Sequence, residues 1–211
     1  MNNTTSMIAE QPLWVYIIAA VAAIIILILV AKAINRRLAR IRRRQLDPSR
    51  ITIQDIDEME GSEFEMYLYR FFDELGYEEV YKTKASSDFG ADLVFTARDG
   101  IRTVLQAKRY QEDSGIGLSA VQEVYASMRY YEAGRSIVLT SARFTPACVT
   151  LAGVNGVKLL DRGDLIELIA DFKSGCYEEA MDRIEREAEL IPSPWKEAAV
   201  PARRTLKRAR R

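Results

Sequence analysis

The run from Leu13 to Ala31 (LWVYIIAAVAAIIILILVA) is apolar and carries no charge. As a helix it spans about 28 Å, near the hydrocarbon thickness of a bilayer. Trp14 and Tyr16 stand at its start, where interfacial aromatics are found. The pattern becomes amphipathic at Gly61. Phe64, Leu68, Phe71, Phe72 and Leu75 recur on one stripe of a helix that Gly76 ends. Residues 79–84 read as a strand. Asp92 to Ala97 and Ile101 to Lys108 read as two strands joined by a hairpin at Asp99-Gly100. A helix follows, with Ser119 as its N-cap, Gln122 as capping-box partner, and Val121, Val124, Tyr125, Met128 and Tyr131 on one face. Ser136 to Thr140 is a buried-strand pattern. Thr145-Pro146 opens a short helix through Leu151. Val157 to Leu160 is a last strand, and Leu165 to Phe172 a last domain helix. A charged helix is expected over Glu178 to Leu190, packing through Ala180, Met181, Ile184 and Ala188. The order αβββαβαβα predicts an α/β domain, a mixed sheet with helices on both faces.

Charge divides the chain further. Residues 1–50 carry two acids against eight bases, and residues 51–176 carry 21 acids against 13 bases. An acidic body thus stands between a basic segment at 32–44 and a basic tail. Lys32, Arg36, Arg37, Arg40, Arg42, Arg43 and Arg44 all follow the apolar run and none precedes it. The positive-inside bias then places the remainder of the chain in the cytoplasm, and the arginines against anionic lipid headgroups. A cleaved signal peptide would carry its positive charges before the run, where only Glu10 is charged. The expected organisation is a short non-cytoplasmic N-terminus (1–12), a transmembrane helix (13–34), a basic juxtamembrane segment and linker (35–60), a domain (61–173), a charged helix (177–191) and a basic disordered tail (192–211). The expected location is a bacterial-type cytoplasmic membrane, crossed once.

The chain has no histidine, which excludes a histidine general base and histidine-ligated zinc. Two cysteines, Cys148 and Cys176, are too few for a zinc site, and free thiols are expected. Candidate chemistry concentrates between Ser86 and Tyr110. Asp88 and Asp92 stand at the start of one strand, and Gln106-Ala107-Lys108 at the end of the next. Mg²⁺ takes oxygen ligands, often one or two carboxylates with water and phosphate completing the shell. Asp92 and the backbone carbonyl of Ala107 can supply two of them. Lys108 can orient an attacking water or neutralise charge developing on a phosphate. The hairpin register tests this arrangement. A two-residue Asp99-Gly100 loop pairs Asp92 with Ala107 and sets Asp92 on the face opposite Gln106 and Lys108. A three-residue Arg98-Asp99-Gly100 loop, with Gly100 left-handed, pairs Asp92 with Gln106 instead. The metal site requires the second, or an equivalent bulge within a strand. Glu65 lies about 20° from Phe72 on a helical wheel. It is either a solvated edge residue or a carboxylate aimed into a site. Taken alone, Asp88-Phe89-Gly90 is also an ordinary turn, and Lys108 a solvated strand end.

These residues together resemble the Mrr-type restriction endonuclease domain, a branch of the PD-(D/E)XK nuclease superfamily. The resemblance covers residues 61–170. It rests on Gly61 with Phe64-Glu65, on Asp88-Phe89-Gly90-Ala91-Asp92 as D-x-G-x-D, and on Gln106-Ala107-Lys108 as Q-x-K. Thr140, Phe144 and Thr145 match a later T-x-x-x-F-T element, and Leu159-Leu160-Asp161 a closing strand. It implies a restriction-endonuclease-like fold behind one transmembrane helix. It also implies Mg²⁺-dependent (or Mn²⁺-dependent) hydrolysis of DNA, with Asp92 and Lys108 as the core catalytic pair. Gln106 would lie close to the metal, Glu65 would support it from the first helix, and Asp88 and Gln122 would line the site. Gln122 reads equally as a capping residue. A homodimer would serve double-strand cutting. The rival expectation is a catalytically inactive module holding nucleic acid or a protein at the membrane. A third makes the anchor primary and the domain vestigial.

Overall fold

The computed structural model describes residues 13–43, 47–83 and 89–195, in two compact units, Met1–Gln45 and Leu46–Arg211. The expected N-terminus (1–12), Asp88, and the tail beyond 195 lie outside the described residues. In the first unit, α1 runs Leu13–Arg43, so the helix continues through the basic segment. Its stretch Trp14–Ile34 is long and apolar enough to cross a membrane.

The second unit begins earlier than expected. Residues 51–60, expected as an acidic linker or a short helix entry, take the helical form. Asp47 caps a 3-10 turn at Pro48–Arg50, and Thr52 with Asp55 forms a capping box on the short α2, Ile53–Asp57. Ile51, Ile56 and Met59 are buried in the main core. These three and Ile53, which packs against the same core, were the signal in an otherwise polar and acidic stretch, and their burial outweighs the charge around them.

The sheet order is β1-β2-β3-β5-β7, formed by Glu78–Lys82, Leu93–Thr96, Arg102–Lys108, Arg135–Thr140 and Lys158–Leu160. β1, β2 and β3 pair antiparallel, and β5 and β7 continue parallel to β3. One face packs on α3 (Gly61–Leu75), α6 (Arg162–Lys173) and α7 (Tyr177–Glu185), with Phe71, Phe72, Leu93, Leu105 and Phe172 at its centre. The other packs on α4 (Leu118–Tyr130) and α5 (Pro146–Asn155), around Val94, Val104, Val121, Val124 and Val138. A two-stranded ribbon, β4 (Gly115–Ile116) with β6 (Arg143–Phe144), lies between β3 and α5 in sequence. The expected mixed α/β architecture is thus the observed one.

Local predictions fail where tertiary packing outranks pattern. α4 starts two residues early, with Gly117 as N-cap and no side-chain cap bond, so Ser119 and Gln122 form no capping box. Its buried face is Ala120, Val121, Val124 and Ser127, while Tyr125 is exposed. α7 ends at Glu185, and 186–190 is irregular: the Lys158 ammonium donates to Arg186 O (2.6 Å), and Ile191 N–H to Gly153 O. Both cysteines are free.

Arg98, at the hairpin tip, ties α7 to the sheet. Its guanidinium and N–H reach Glu178, Asp182 and Glu185 at 2.5–3.0 Å. Exposed pairs stabilise little singly, but one arginine satisfying three carboxylates on successive turns is a network. Arg98→Ala should therefore fray α7 with a small loss of global stability. Hydrogen exchange would show faster amides at 177–185 and unchanged ones in β3. The difference from wild type should shrink in high salt.

Candidate active site

β2 and β3 pair Leu93 with Leu105, Phe95 with Thr103 and Thr96 with Arg102. Ala97 N–H donates to Ile101 O at 3.0 Å and Gly100 N–H to Ala97 O at 2.8 Å, and Gly100 has φ +79°. The loop is therefore the three-residue form, Arg98-Asp99-Gly100, with glycine in the left-handed position. Its register sets Asp92 beside Gln106. Side chains alternate along a strand, and cross-strand neighbours share a face. Asp92, Gln106 and Lys108 thus fall with Val94 and Val104 on the α4 face, as the metal site requires.

The contacts agree. Asp92 is 6% exposed, and its Oδ2 accepts from the Gln106 side-chain amide and from Ala107 N–H at 2.7 Å. Gln106 is also 6% exposed. An ionised acid in that position is held by two donors. The N–H and C=O of one strand residue point to the same side, so the Ala107 carbonyl faces the Asp92 side, beyond the paired end of β2. Lys108 Nζ lies 2.7 Å from Glu123 Oε2 on α4. Thr140, opposite Lys108 in β5, donates its hydroxyl to Lys108 O at 2.6 Å and accepts from Ala142 N–H. That bond fixes the strand end from which Lys108 projects.

Glu65 stands elsewhere. It pairs with Lys82 Nζ at 2.7 Å. Lys82 is the cross-strand neighbour of Leu93, so this ion pair belongs to the α3 face, opposite the Asp92 and Lys108 side chains. Gln122 is exposed on α4, and its neighbour Glu123 makes the contact with Lys108. Helical spacing carried the signal for Glu123. It is three residues from buried Ala120 and four from buried Ser127, so it borders the buried stripe as Glu65 does.

The donor set suits a hard cation that keeps much of its own water. Among the described residues no group of three or more acids, cysteines or histidines converges. Asp92, the Ala107 carbonyl and the Gln106 amide oxygen give a sparse oxygen set. Mg²⁺ accepts such a set, completing its octahedron with water and phosphate.

A mixed five-stranded sheet with an acid, an amide and a lysine gathered at adjacent strand ends is the restriction-endonuclease class of α/β domain. A family model described as restriction endonuclease, the Mrr catalytic domain, matches residues 56–169, more than half of the chain, and the chain belongs to that family. Among solved structures, the chain is similar to a protein of unknown function, AF1548, at 22% identity and TM-score 0.38, over 44% of this chain and 54% of that one. It is also similar to the MspJI restriction endonuclease in complex with a 27-mer oligonucleotide, at 20% identity and TM-score 0.39, over 64% of this chain and 34% of that one. The chain thus spans about half of the first and a third of the second, and neither score carries an argument. No curated protein matches it.

Proposed function

We propose that this chain is a membrane-tethered, metal-dependent endonuclease that hydrolyses DNA phosphodiesters at the cytoplasmic surface. The observation that carries the reading is the three-residue hairpin loop, which sets Asp92, Gln106 and Lys108 on one face of a domain of the Mrr family. Asp92, the Ala107 carbonyl and Gln106 would hold Mg²⁺ or Mn²⁺, which supplies Lewis-acid polarisation of a phosphoryl oxygen. Lys108, released from Glu123 by an incoming phosphate, orients the attacking water and neutralises the charge that develops on phosphorus. The chain has no histidine, and direct attack by water is the step proposed. The tether is proposed from Trp14–Ile34 and the arginines that follow it.

One observation favours the inactive-module reading: Lys108 and Glu65 are both already in ion pairs, with Glu123 and Lys82. Incubation of the full chain in detergent with supercoiled plasmid decides between them. Nicking that needs Mg²⁺ or Mn²⁺ and stops with EDTA supports the enzyme; plasmid bound and left intact with both metals supports the module. The tether has its own check. The full chain should stay in the membrane pellet through an alkaline wash, and a variant lacking 1–34 should be released.

A further inference from the structure

Three strands contribute to the α4 face, with Tyr81 and Thr83 of β1 and its end, Asp92 and Val94 of β2 and its start, and Arg102, Gln106 and Lys108 of β3 among its residues. Only the last part of that face is the candidate active site. The first part opens into a cleft of about 580 Å³, lined by Tyr81, Thr83, Val94, Arg102, Tyr130 and Tyr131 among others. Ligand clefts run from roughly 300 to 1,000 Å³. Val94 is two residues from Asp92, about 7 Å along the strand. Thr83 joins the two regions, since its N–H donates to Asp92 O at 3.0 Å and its hydroxyl to Ala91 O at 2.7 Å.

The cleft presents aromatic rings to solvent. Tyr81 is 61% exposed and Tyr130 60%, and Phe89, which stands against Tyr130 outside the cleft lining, is 53% exposed. Aromatics on a sheet or helix face usually belong to a core, and the described residues leave these three uncovered. Phe89 and Tyr130 stack with ring centroids 4.0 Å apart and planes 28° from parallel, and Tyr131 meets Tyr130 edge-on at 4.9 Å. Phe89 achieves this from a left-handed backbone, φ +48°, which is uncommon outside glycine. Polar groups border the rings. Arg102 donates to Tyr131 O at 3.2 Å and lies 3.9 Å from Glu79, which also accepts from the Thr96 hydroxyl. Arg102 thus holds the end of α4 that carries the two tyrosines.

Flat π-faces with a few hydrogen-bonding groups beside them suit a planar heteroaromatic ligand. We infer that this cleft takes an unstacked nucleobase of the DNA strand whose phosphate lies at Asp92 and Lys108. The inference rests on the nuclease reading for the neighbouring phosphate. It goes beyond that reading in giving the protein a preference for strands with a base out of the helix, whether single-stranded or mispaired. A base in a duplex must be unstacked first, which costs a few kcal/mol and least at a mismatch.

The test is binding without cutting. Full-length protein in detergent with EDTA is titrated into oligonucleotides carrying 2-aminopurine in a single strand, at a mismatch, or fully paired. Stacking on a tyrosine should quench the probe in the first two. Tyr130→Ala should remove the quench and weaken those two complexes about tenfold or more, as loss of one stacked base does. Tyr130→Phe should keep both, because the ring and not the hydroxyl is needed. Tyr81→Ala, on a different element, should act in the same direction as Tyr130→Ala. Affinity for the paired duplex should change less than twofold. Unchanged probe emission with wild type, or Kd within twofold for both alanine variants on the unpaired probes, overturns the inference. Quenched binding by a protein that never nicks plasmid keeps the base site and removes the nuclease; nicking with no effect of Tyr130→Ala removes the base site alone.

Discussion

Lys108→Ala should lower metal-dependent plasmid nicking by about 10²- to 10³-fold, the usual loss when one preorganised charge-stabilising group is removed. The protein should meanwhile remain folded. Lys108 is the last residue of β3 and its side chain is 22% exposed; its partner Glu123 is 42% exposed. Removing the ammonium leaves that carboxylate in contact with water, so the stability cost is that of a surface ion pair, about 0–1 kcal/mol. The backbone of Lys108 keeps its bonds from Thr140 and Ser141 in the alanine variant. Initial nicking rates with Mg²⁺ and with Mn²⁺, beside thermal melts of both proteins, separate the two effects. Equal rates for wild type and variant with both metals would remove Lys108 from the chemistry.

Gly90→Ala should act through the fold and reach the site indirectly. Gly90 has φ +92°, and a Cβ there would come within 2.8 Å of the Glu123 carbonyl carbon and 3.0 Å of its Cα. These are helix backbone atoms, so no side chain can swing aside. The left-handed backbone costs about 1–2 kcal/mol and overpacking about 1–3 more. For a domain of this size a loss of roughly 3 kcal/mol lowers Tm by about 6–12 °C. The Asp92 turn and α4 must separate, so nicking should fall as well. Gly100→Ala is the comparison. It has φ +79° but nothing within 4 Å of a Cβ. It should cost only the conformational term, about 1 kcal/mol. Equal melting temperatures for the two variants would show that the turn does not lean on α4.

The fold order was legible because most elements bury a periodic face. The α3 stripe from Phe64 to Leu75 is all core, and Thr145-Pro146 and Asp161 each cap the helix they precede. The 51–60 segment stayed open between linker and helix because its four acids equal its four apolar residues in number; Ile51, Ile56 and Met59 are buried in the core and Ile53 packs against it. The partner of Glu65 was not legible for a related reason. A helical wheel says which residues border the buried stripe; it does not say that Lys82 waits on that side of the sheet. Glu123 was missed although its spacing was as informative, because the competing Ser119–Gln122 cap drew the reading one residue away.

By itself the sequence determined the apolar span, the alternation of helices and strands, the absence of histidine chemistry and the motif residues Asp92, Gln106 and Lys108. The first three follow from local composition and periodicity; the motif residues follow from the resemblance to the Mrr-type family. It left open whether Asp92 faces Lys108, since a strand's side chains change face with a one-residue shift of register. The three-residue loop closed by Gly100 decided that. Tertiary structure alone also decided the partners of the charges and the exposure of Tyr81, Phe89 and Tyr130, because both depend on which helix covers which part of the sheet.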